Sequence, residues 1–132
     1  VQACCKLGMG EKALALFDAL NPINHALTRA QAAKYKGEPY AVAGDVYSGL
    51  NAGRAGWTWY TGAAAWLYKI CLEDMLGIRR EKDALRIAPT VPFEEYTVKY
   101  RYGEAVYILH LSGKSRGTVK LEDDGMTHEI TL

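Results

Sequence analysis

The segment from Gly53 to Gly62 combines glycines with aromatic rings and runs directly into an apolar helix. This order predicts that Thr61 is the N-cap of that helix and that Gly62 lies in its first turn. Backbone N–H groups at a helix start lack partners within the helix, and the helix dipole adds positive potential there. Because glycine lets a ligand approach closely, the pattern is typical of an anion site, to which the Thr61 hydroxyl adds one hydrogen bond. In the alternative interpretation Thr61 only caps its own helix.

The same segment contains candidates for lining a sugar site. Sugars present flat C–H faces that pack on aromatic rings, and the segment offers Trp57, Trp59 and Tyr60 for this role, with Arg54 as a polar candidate beside them. In the alternative interpretation each ring packs into the core. Residues 37–60 show little periodicity, and so long an irregular stretch is usually either disordered or functional. Their aromatic content argues against disorder.

Metal-ligand spacing is absent from the sequence. The histidines and cysteines share no ligand pattern, and residues 123–125 lack the later ligands of a calcium loop, so they are typical of a turn. We therefore expect no metal and no cofactor. An odd number of cysteines without a C-x-x-C motif indicates small buried side chains in a reducing compartment, and hence a cytoplasmic protein. The residues concerned are Cys4, Cys5, Cys71, His25, His110 and His128.

Composition narrows the function classes. The 132 residues carry 16 Lys and Arg against 15 Asp and Glu, and this balance argues against a nucleic-acid binder. Hydrophobic residues make up 49% of the chain, enough to build a core, but no apolar run reaches the length of about 18 residues that a membrane span needs. The chain begins at Val1 in a helical pattern without a Met, so we expect it to be a piece of a longer protein.

The first part of the chain has helical patterns. Residues 28–31, Thr-Arg-Ala-Gln, fit a capping box that begins a short helix. Residues 61–76 predict a helix that is apolar almost all round, which is typical of a helix buried on most sides in a large helical assembly. Gly77 follows where a left-handed C-terminal cap is expected. We expect homo-oligomers if the apolar face around Trp66, Leu67 and Ile70 is left uncovered.

The second part has strand patterns. From Tyr96 to Tyr102 apolar and polar residues alternate, and Gly103-Glu104 is a two-residue turn. The resulting hairpin pairs Tyr102 with Ala105, Tyr100 with Tyr107 and Val98 with Leu109. Two more short strands are predicted near residues 118–121 and 128–132. The mixed-sign residues 79–83 are interpreted as a solvated face. Helices followed by antiparallel strands indicate an α+β fold, with the boundary placed between residues 1–78 and 79–132.

Two tracts resemble the C-terminal signature of glycoside hydrolase family 94. They are residues 38–48, Glu-Pro-Tyr-Ala-Val-Ala-Gly-Asp-Val-Tyr-Ser, and residues 53–66, Gly-Arg-Ala-Gly-Trp-Thr-Trp-Tyr-Thr-Gly-Ala-Ala-Ala-Trp. The family contains cellobiose and chitobiose phosphorylases and the phosphorylase-like region of cyclic β-1,2-glucan synthases. Residues 20–26 and 121–129 resemble the glucan-synthase branch. The resemblance covers nearly the whole chain.

The resemblance implies a fold and a reaction. The fold is the last helices of an (α/α)6 barrel, residues 1–78, followed by a small antiparallel β-domain, residues 79–132. The reaction is inverting phosphorolysis of β-glucosides or gluco-oligosaccharides to a sugar 1-phosphate, with oligosaccharide and inorganic phosphate as partners. In the family a Thr-Gly pair, here Thr61 and Gly62, binds phosphate.

Several family residues are absent or different in this chain. The family's general-acid Asp lies in a D-W-N-D-type motif that these 132 residues lack, so we expect no catalytic residue here and an inactive isolated chain. Asn51 stands where many relatives have His, and Ala55 where many have Gly, which bears on substrate preference. The alternatives to a glycoside phosphorylase are that the chain is a non-catalytic carbohydrate-binding or scaffolding region, or that it is part of a cyclic β-1,2-glucan synthase.

Overall fold

The computed structural model of the chain describes residues 1–58 and 61–132, with the side chain of Thr61 also outside the description. The chain folds into two compact units, one formed by residues 14–69 and the other by residues 1–13 together with 70–132. The boundary predicted after residue 78 stays a prediction. None of the helices described within residues 1–58 and 61–132 has the length and hydrophobicity that crossing a bilayer demands.

The first helices follow local sequence signals. Helix α1 spans Gln2–Lys6 and α2 spans Gly10–Leu20, and Gly8 between them has a φ of 71°. A 3-10 helix covers Pro22–His25, and α3 covers Arg29–Tyr35. The predicted capping box of α3 is confirmed, because the Gln31 N–H donates to Thr28 Oγ1 at 3.2 Å and the Thr28 N–H donates to Gln31 Oε1 at 2.9 Å.

Helix α4 spans Thr61–Ile70 and continues as a π-helical turn, Cys71–Met75. Thr61 is therefore the first residue of the helix and not its N-cap, so that prediction was wrong by one position, while Gly62 lies in the first turn as predicted. The predicted left-handed cap is confirmed, since Gly77 has a φ of 66°. Within this chain Trp66 is 63% exposed and Tyr68 is 71% exposed, and the burial of α4 in a larger helical assembly stays a prediction. Burial requires partner surfaces, and none covers these two side chains among the described residues. Homo-oligomerisation through this face stays a prediction.

Two three-stranded sheets follow. The register predicted for the hairpin is confirmed at all three residue pairs. One core cluster contains side chains from both sheets, with Leu85 and Leu109 fully buried in it. After two short strands that precede α4, β1 Asp45–Val46 and β2 Ala55–Gly56, the strands of the two sheets are β3 Ile78–Glu81, β4 Ala84–Ile87, β5 Tyr96–Tyr102, β6 Ala105–Leu111, β7 Gly117–Lys120 and β8 Thr127–Thr131. Their orders in the sheets are β3-β4-β7 and β5-β6-β8.

The sheets differ from the sequence prediction in two respects. Strand β8 pairs with β6 in parallel, so the region predicted as an antiparallel β-domain contains one parallel pairing beside its antiparallel ones. In addition, residues 79–83 are not only a solvated face but part of the β3–β4 hairpin. Their charged side chains are exposed, while Ile78 on β3 and Leu85 on β4 are buried. Because the charged residues follow one another in the sequence, these two short strands were not recognised from it.

Candidate functional site

The candidate segment begins in an irregular stretch that a two-stranded ladder holds together. Strand β1, Asp45–Val46, pairs antiparallel with β2, Ala55–Gly56, and a 3-10 helix, Gly49–Asn51, lies between them. The Tyr47 N–H donates to the Arg54 carbonyl at 2.9 Å just outside the ladder. This pairing fixes the backbone on the N-terminal side of the candidate residues.

Two glycines of the segment are favoured for different reasons, the backbone angle at Gly53 and close packing at Gly56. Gly53 has a φ of 87°, and an added Cβ would come within 2.9 Å of the Lys34 Cε. At Gly56 an added Cβ would overlap the Asp45 carboxylate. The absence of a side chain at Gly56 therefore leaves room for Asp45, its partner in the ladder. The Arg54 side chain between the two glycines is exposed.

Trp57 has an unusual backbone among the described residues of the segment. Its φ is 52°, in the left-handed region that bulky residues rarely adopt. Trp57 is also 64% exposed to solvent. Its carbonyl accepts a hydrogen bond from the Gly44 N–H at 3.2 Å. A strained, exposed aromatic residue with a fixed backbone is a feature that clusters at ligand sites.

Glu38 contacts the residue that follows Trp57. Hydrogen bonding to the Thr58 side chain, followed by hydrogen bonding to the Glu38 backbone, lowers the pKa of the Glu38 carboxyl group below its usual value. The other carboxylate oxygen, Oε2, is buried and finds no hydrogen-bond partner among the described residues. Burial, and secondarily the Glu38 charge, raises the pKa of the nearby Tyr35 hydroxyl.

The start of α4 is open at the position where an anion is expected. Gly62 is exposed, and an ideal Cβ built on it meets no described atom within 4 Å, apart from its chain neighbours and its own helix backbone. Of the other predicted site residues, Trp59 and Tyr60 lie outside the described residues, and so does the Thr61 side chain. The structure thus describes Arg54, Trp57 and Gly62 as exposed positions of one segment, and their predicted ligand roles stay predictions.

Sequence reasoning did not single out Glu38 and Thr58. The sequence offered one signal that could have pointed to Glu38. Residues 37–60 contain only three charged residues, Glu38, Asp45 and Arg54. Gly37 preceding Glu38 packs so tightly that an added Cβ would come within 2.9 Å of the Ala55 Cβ. Such a contact joins residues distant in sequence, so no local pattern reveals it.

The other chemistry-bearing groups have ordinary roles in the structure. Within the described residues the three cysteines are free thiols, and burial raises the pKa of Cys5 and of Cys71. His25 stacks on Tyr35, while His110 and His128 contact Glu129 and Asp124 at 2.8 and 3.0 Å. Among the residues that the structure describes, no three His, Cys, Asp or Glu side chains come together as metal ligands.

Comparison with protein families identifies a family model that matches the candidate segment. The model of the glycosyl hydrolase 94 superfamily, catalytic domain, matches residues 1–77, more than half of the chain and the whole candidate segment. The chain belongs to this family. Membership confirms the resemblance read from the sequence, and it covers α1–α4 together with the β1–β2 ladder.

Individual family members extend the similarity. The cyclic β-(1,2)-glucan synthase NdvB of Rhizobium meliloti (strain 1021) is 44% identical over 109 residues, which is 80% of this chain and 4% of NdvB. The 3-O-β-D-glucopyranosyl-β-D-glucuronide phosphorylase of Paenibacillus borealis is 44% identical over 70 residues, 49% of this chain and 9% of that enzyme. The solabiose phosphorylase of Paenibacillus borealis is 30% identical over 138 residues, 95% of this chain and 17% of that enzyme. The chain therefore spans only a small part of these relatives.

Proposed function

We propose that the full-length protein is an inverting glycoside phosphorylase that cleaves β-glucosides or gluco-oligosaccharides with inorganic phosphate. The observation that carries the proposal is the exposed first turn of α4 at Gly62, in a segment that matches the family's catalytic-domain model. Two relatives whose names describe them as phosphorylases support it. Phosphate is the co-substrate, and the proposal includes no further cofactor.

The proposed reaction exchanges one bond at the anomeric carbon for another. A phosphate oxygen forms a C–O bond to that carbon from the face opposite the leaving sugar, and the glycosidic C–O bond breaks. An acid on the upstream chain gives its proton to the departing oxygen. The nucleophile must be held without losing its reactivity, and uncharged donors such as the Thr61 hydroxyl and the Gly62 N–H suit this task.

Each part of the chain has a place in this proposal. Residues 1–78 form the last helices of the (α/α)6 barrel, and residues 79–132 form the C-terminal β-domain. Arg54, Trp57, Trp59 and Tyr60 line the oligosaccharide site beside the phosphate donors. We expect the 132-residue chain alone to be inactive, because it contains no D-W-N-D-type motif to supply the general acid. We also propose a cytoplasmic location, on the basis of its three free cysteines.

The second candidate is a role within a glucan synthase or in carbohydrate binding without turnover. The similarity to NdvB over 80% of the chain favours this alternative to a stand-alone phosphorylase. The residues upstream of Val1 discriminate between an enzyme and a binding or scaffolding region. A D-W-N-D-type motif there supports a phosphorylase, whereas a complete barrel without it supports a binding or scaffolding role.

Thr61→Ala in the full-length protein tests the phosphate site. We expect the KM for phosphate to rise about tenfold or more, since a hydrogen bond to a charged ligand contributes about 1.5–3 kcal/mol. The KM for the sugar is expected to change far less. Initial rates at varied phosphate and varied oligosaccharide measure both constants.

A matched control is Thr127→Ala, which removes the hydroxyl of an exposed threonine in β8. We expect both KM values of this variant to equal those of the unmodified protein. Equal changes in the two KM values of Thr61→Ala would overturn the assignment of Thr61 to the phosphate.

A further inference from the structure

A cavity in the unit formed by residues 14–69 is lined mainly by polar side chains. Its volume is about 190 Å³, and all of its lining residues belong to this unit. Arg54, Trp57 and Gly62, the described members of the predicted site, are not among them. The lining residues come from the 3-10 helix, from α3 and from the β1–β2 connection, and they are Asn24, His25, Gln31, Lys34, Tyr35 and Gly53.

Tyr35 is buried, yet its hydroxyl group has no hydrogen-bond partner among the described residues. The residue is only 3% exposed, and its recorded contacts are the stack with His25 and the charge of Glu38. Buried tyrosine hydroxyls usually have a partner. Burial, followed by the Glu38 charge, raises the pKa of this hydroxyl, so it stays protonated and can donate. A ligand in the cavity would supply the missing partner.

His25 and Asn24 are each held at one end by the last turn of α2. The His25 Nε2 atom lies 2.8 Å from the Ala19 carbonyl oxygen. The Asn24 Nδ2 atom donates to the Asp18 carbonyl oxygen at 3.0 Å. Because a carbonyl oxygen only accepts, Nε2 carries the proton of the neutral imidazole, and Nδ1 is left as an acceptor. The Asn24 Oδ1 atom is an acceptor as well, and neither atom has a partner among the described residues.

Gln31 and Lys34 add donors to the same cavity. The Gln31 Oε1 atom accepts the Thr28 N–H of the capping box at 2.9 Å, which leaves Nε2 as a donor. The Lys34 side chain lies over Gly53, where an added Cβ would come within 2.9 Å of Cε and 3.4 Å of Nζ. Its ammonium group forms no recorded ion pair or hydrogen bond with a described residue. The cavity therefore combines donors and acceptors that the protein leaves unused.

This combination indicates the chemical class of the ligand. An anion offers mainly acceptors, so it would leave His25 Nδ1 and Asn24 Oδ1 without partners. Each hydroxyl of a sugar both donates and accepts, so a sugar can satisfy donors and acceptors together. The Tyr35 ring, stacked on His25 at 5.1 Å between centroids, adds a flat apolar wall for the C–H groups of a sugar. Pockets for larger ligands usually measure about 300–1,000 Å³, so this cavity suits a single ring.

We propose that the cavity is a second sugar site, which binds one glucose unit separately from the site at the start of α4. The choice of glucose rests on the proposed function. The capping bonds of Asn24, His25 and Gln31 explain the position of one end of each side chain. They leave the buried Tyr35 hydroxyl and the opposite ends of the three side chains without a role in the fold, and the sugar gives them one.

Calorimetry of the full-length protein with β-1,2-linked glucobiose, in the absence of phosphate, tests the second site. Tyr35→Phe removes only the hydroxyl, and Lys34→Met keeps the stem over Gly53. We expect each variant to weaken the binding of one glucobiose about fivefold, as the loss of one hydrogen bond does, and to leave the KM for glucobiose in phosphorolysis within about twofold. Unchanged glucobiose affinity in Tyr35→Phe would overturn the second site.

Matched controls remove the same groups from exposed residues that do not line the cavity. They are Tyr40→Phe and Lys12→Met, and we expect both to bind glucobiose as the unmodified protein does. A loss of affinity in Tyr40→Phe equal to that in Tyr35→Phe would show that the effect does not come from the cavity, and would overturn the assignment.

Gln31→Glu distinguishes a sugar from an anion. Glutamate keeps the capping acceptor for the Thr28 N–H but adds a negative charge to the cavity wall. A sugar hydroxyl can donate to the new carboxylate, so we expect the glucobiose affinity to stay within about threefold. Competition of inorganic phosphate for the glucobiose that Tyr35→Phe weakens, with loss of that binding in Gln31→Glu, would identify an anion site and overturn the sugar site.

Thermal melting tests the unpartnered hydroxyl without any sugar. Because the Tyr35 hydroxyl has no recorded partner in the fold, we expect Tyr35→Phe to melt at the same temperature as the unmodified protein or higher. Tyr107→Phe is the control, since the Tyr107 hydroxyl donates to the Glu122 carbonyl at 3.1 Å and accepts the Glu122 N–H at 2.6 Å, and we expect it to melt lower. A drop in Tyr35→Phe as large as that in Tyr107→Phe would overturn the assignment of the Tyr35 hydroxyl to a ligand.

Phosphorolysis of the same glucobiose separates this inference from the proposed function. If Tyr35→Phe weakens binding while the unmodified protein shows no phosphorolysis, the second site is supported and the phosphorylase is not. If phosphorolysis is present and its KM rises as much as the affinity falls, the cavity belongs to the reacting site and the second site is overturned. If the unmodified protein neither binds nor cleaves glucobiose, both proposals are wrong.

Discussion

Replacing Gly62 by Ala in the full-length protein is expected to raise the KM for phosphate about tenfold or more while leaving the protein as stable as before or more stable. Gly62 lies in the first turn of α4 with a φ outside the left-handed region, and its missing Cβ faces open space among the described residues. Alanine fits that backbone and gains up to about 1 kcal/mol over glycine in a helix. The added methyl group occupies the space through which the proposed phosphate reaches the N–H groups.

Because Gly62→Ala is expected to keep or raise the stability while it lowers the affinity for phosphate, a loss of stability would not explain a higher KM for phosphate. Thermal melting and phosphate saturation curves of the same preparation measure both quantities. Ala63→Gly, which changes the next residue of α4 in the reverse direction, is the control, and we expect it to lower the melting temperature without a comparable change in the KM for phosphate. A Gly62→Ala protein with an unchanged phosphate KM would show that no anion approaches this turn.

Replacing Gly77 by Ala is expected to destabilise the 132-residue chain by about 3 kcal/mol or more. Gly77 has a φ of 66°, and the left-handed conformation costs an alanine about 1–2 kcal/mol. The new Cβ would also overlap the carbonyl group of Ala88 and the nitrogen of Pro89. These are backbone atoms that cannot rotate away, and the Ala88 N–H already donates to the Gly77 carbonyl at 2.8 Å.

Gly125→Ala isolates the contribution of the backbone angle. Gly125 has a φ of 72°, but an ideal Cβ there meets no described atom within 4 Å other than its chain neighbours. We therefore expect this variant to lose only about 1–2 kcal/mol. Urea unfolding of the two variants and the unmodified chain measures the difference. Equal losses at Gly77 and Gly125 would contradict the predicted overlap with the 88–89 backbone.

Features set by neighbouring residues were predictable from the sequence. The Tyr96–Leu111 hairpin follows from a period of two on each side of Gly103-Glu104, and its register was confirmed. The capping box at Thr28 and the cap at Gly77 likewise depend on residues a few positions apart. In each case the side chains that determine the geometry are adjacent in the chain, so the pattern can be read directly.

Features set by distant residues were not predictable. Strand β8 pairs in parallel with β6 because of packing between segments far apart in sequence, and its own pattern does not reveal its partner. The left-handed conformation of Trp57 contradicts local preference, and the Trp57 carbonyl accepts a hydrogen bond from Gly44, thirteen residues earlier in the chain. The part of the candidate site that sequence reasoning missed is therefore the part formed by long-range contacts.

The most direct test of the proposed function is ³¹P NMR of the full-length protein with a β-linked gluco-oligosaccharide and inorganic phosphate. An inverting phosphorylase consumes phosphate and forms the α-anomer of a sugar 1-phosphate, because attack on the face opposite a β-linked leaving group reverses the configuration. We predict that this signal grows with time and depends on phosphate. Release of free sugar with the phosphate signal unchanged, or formation of the β-anomer, would contradict the proposed function.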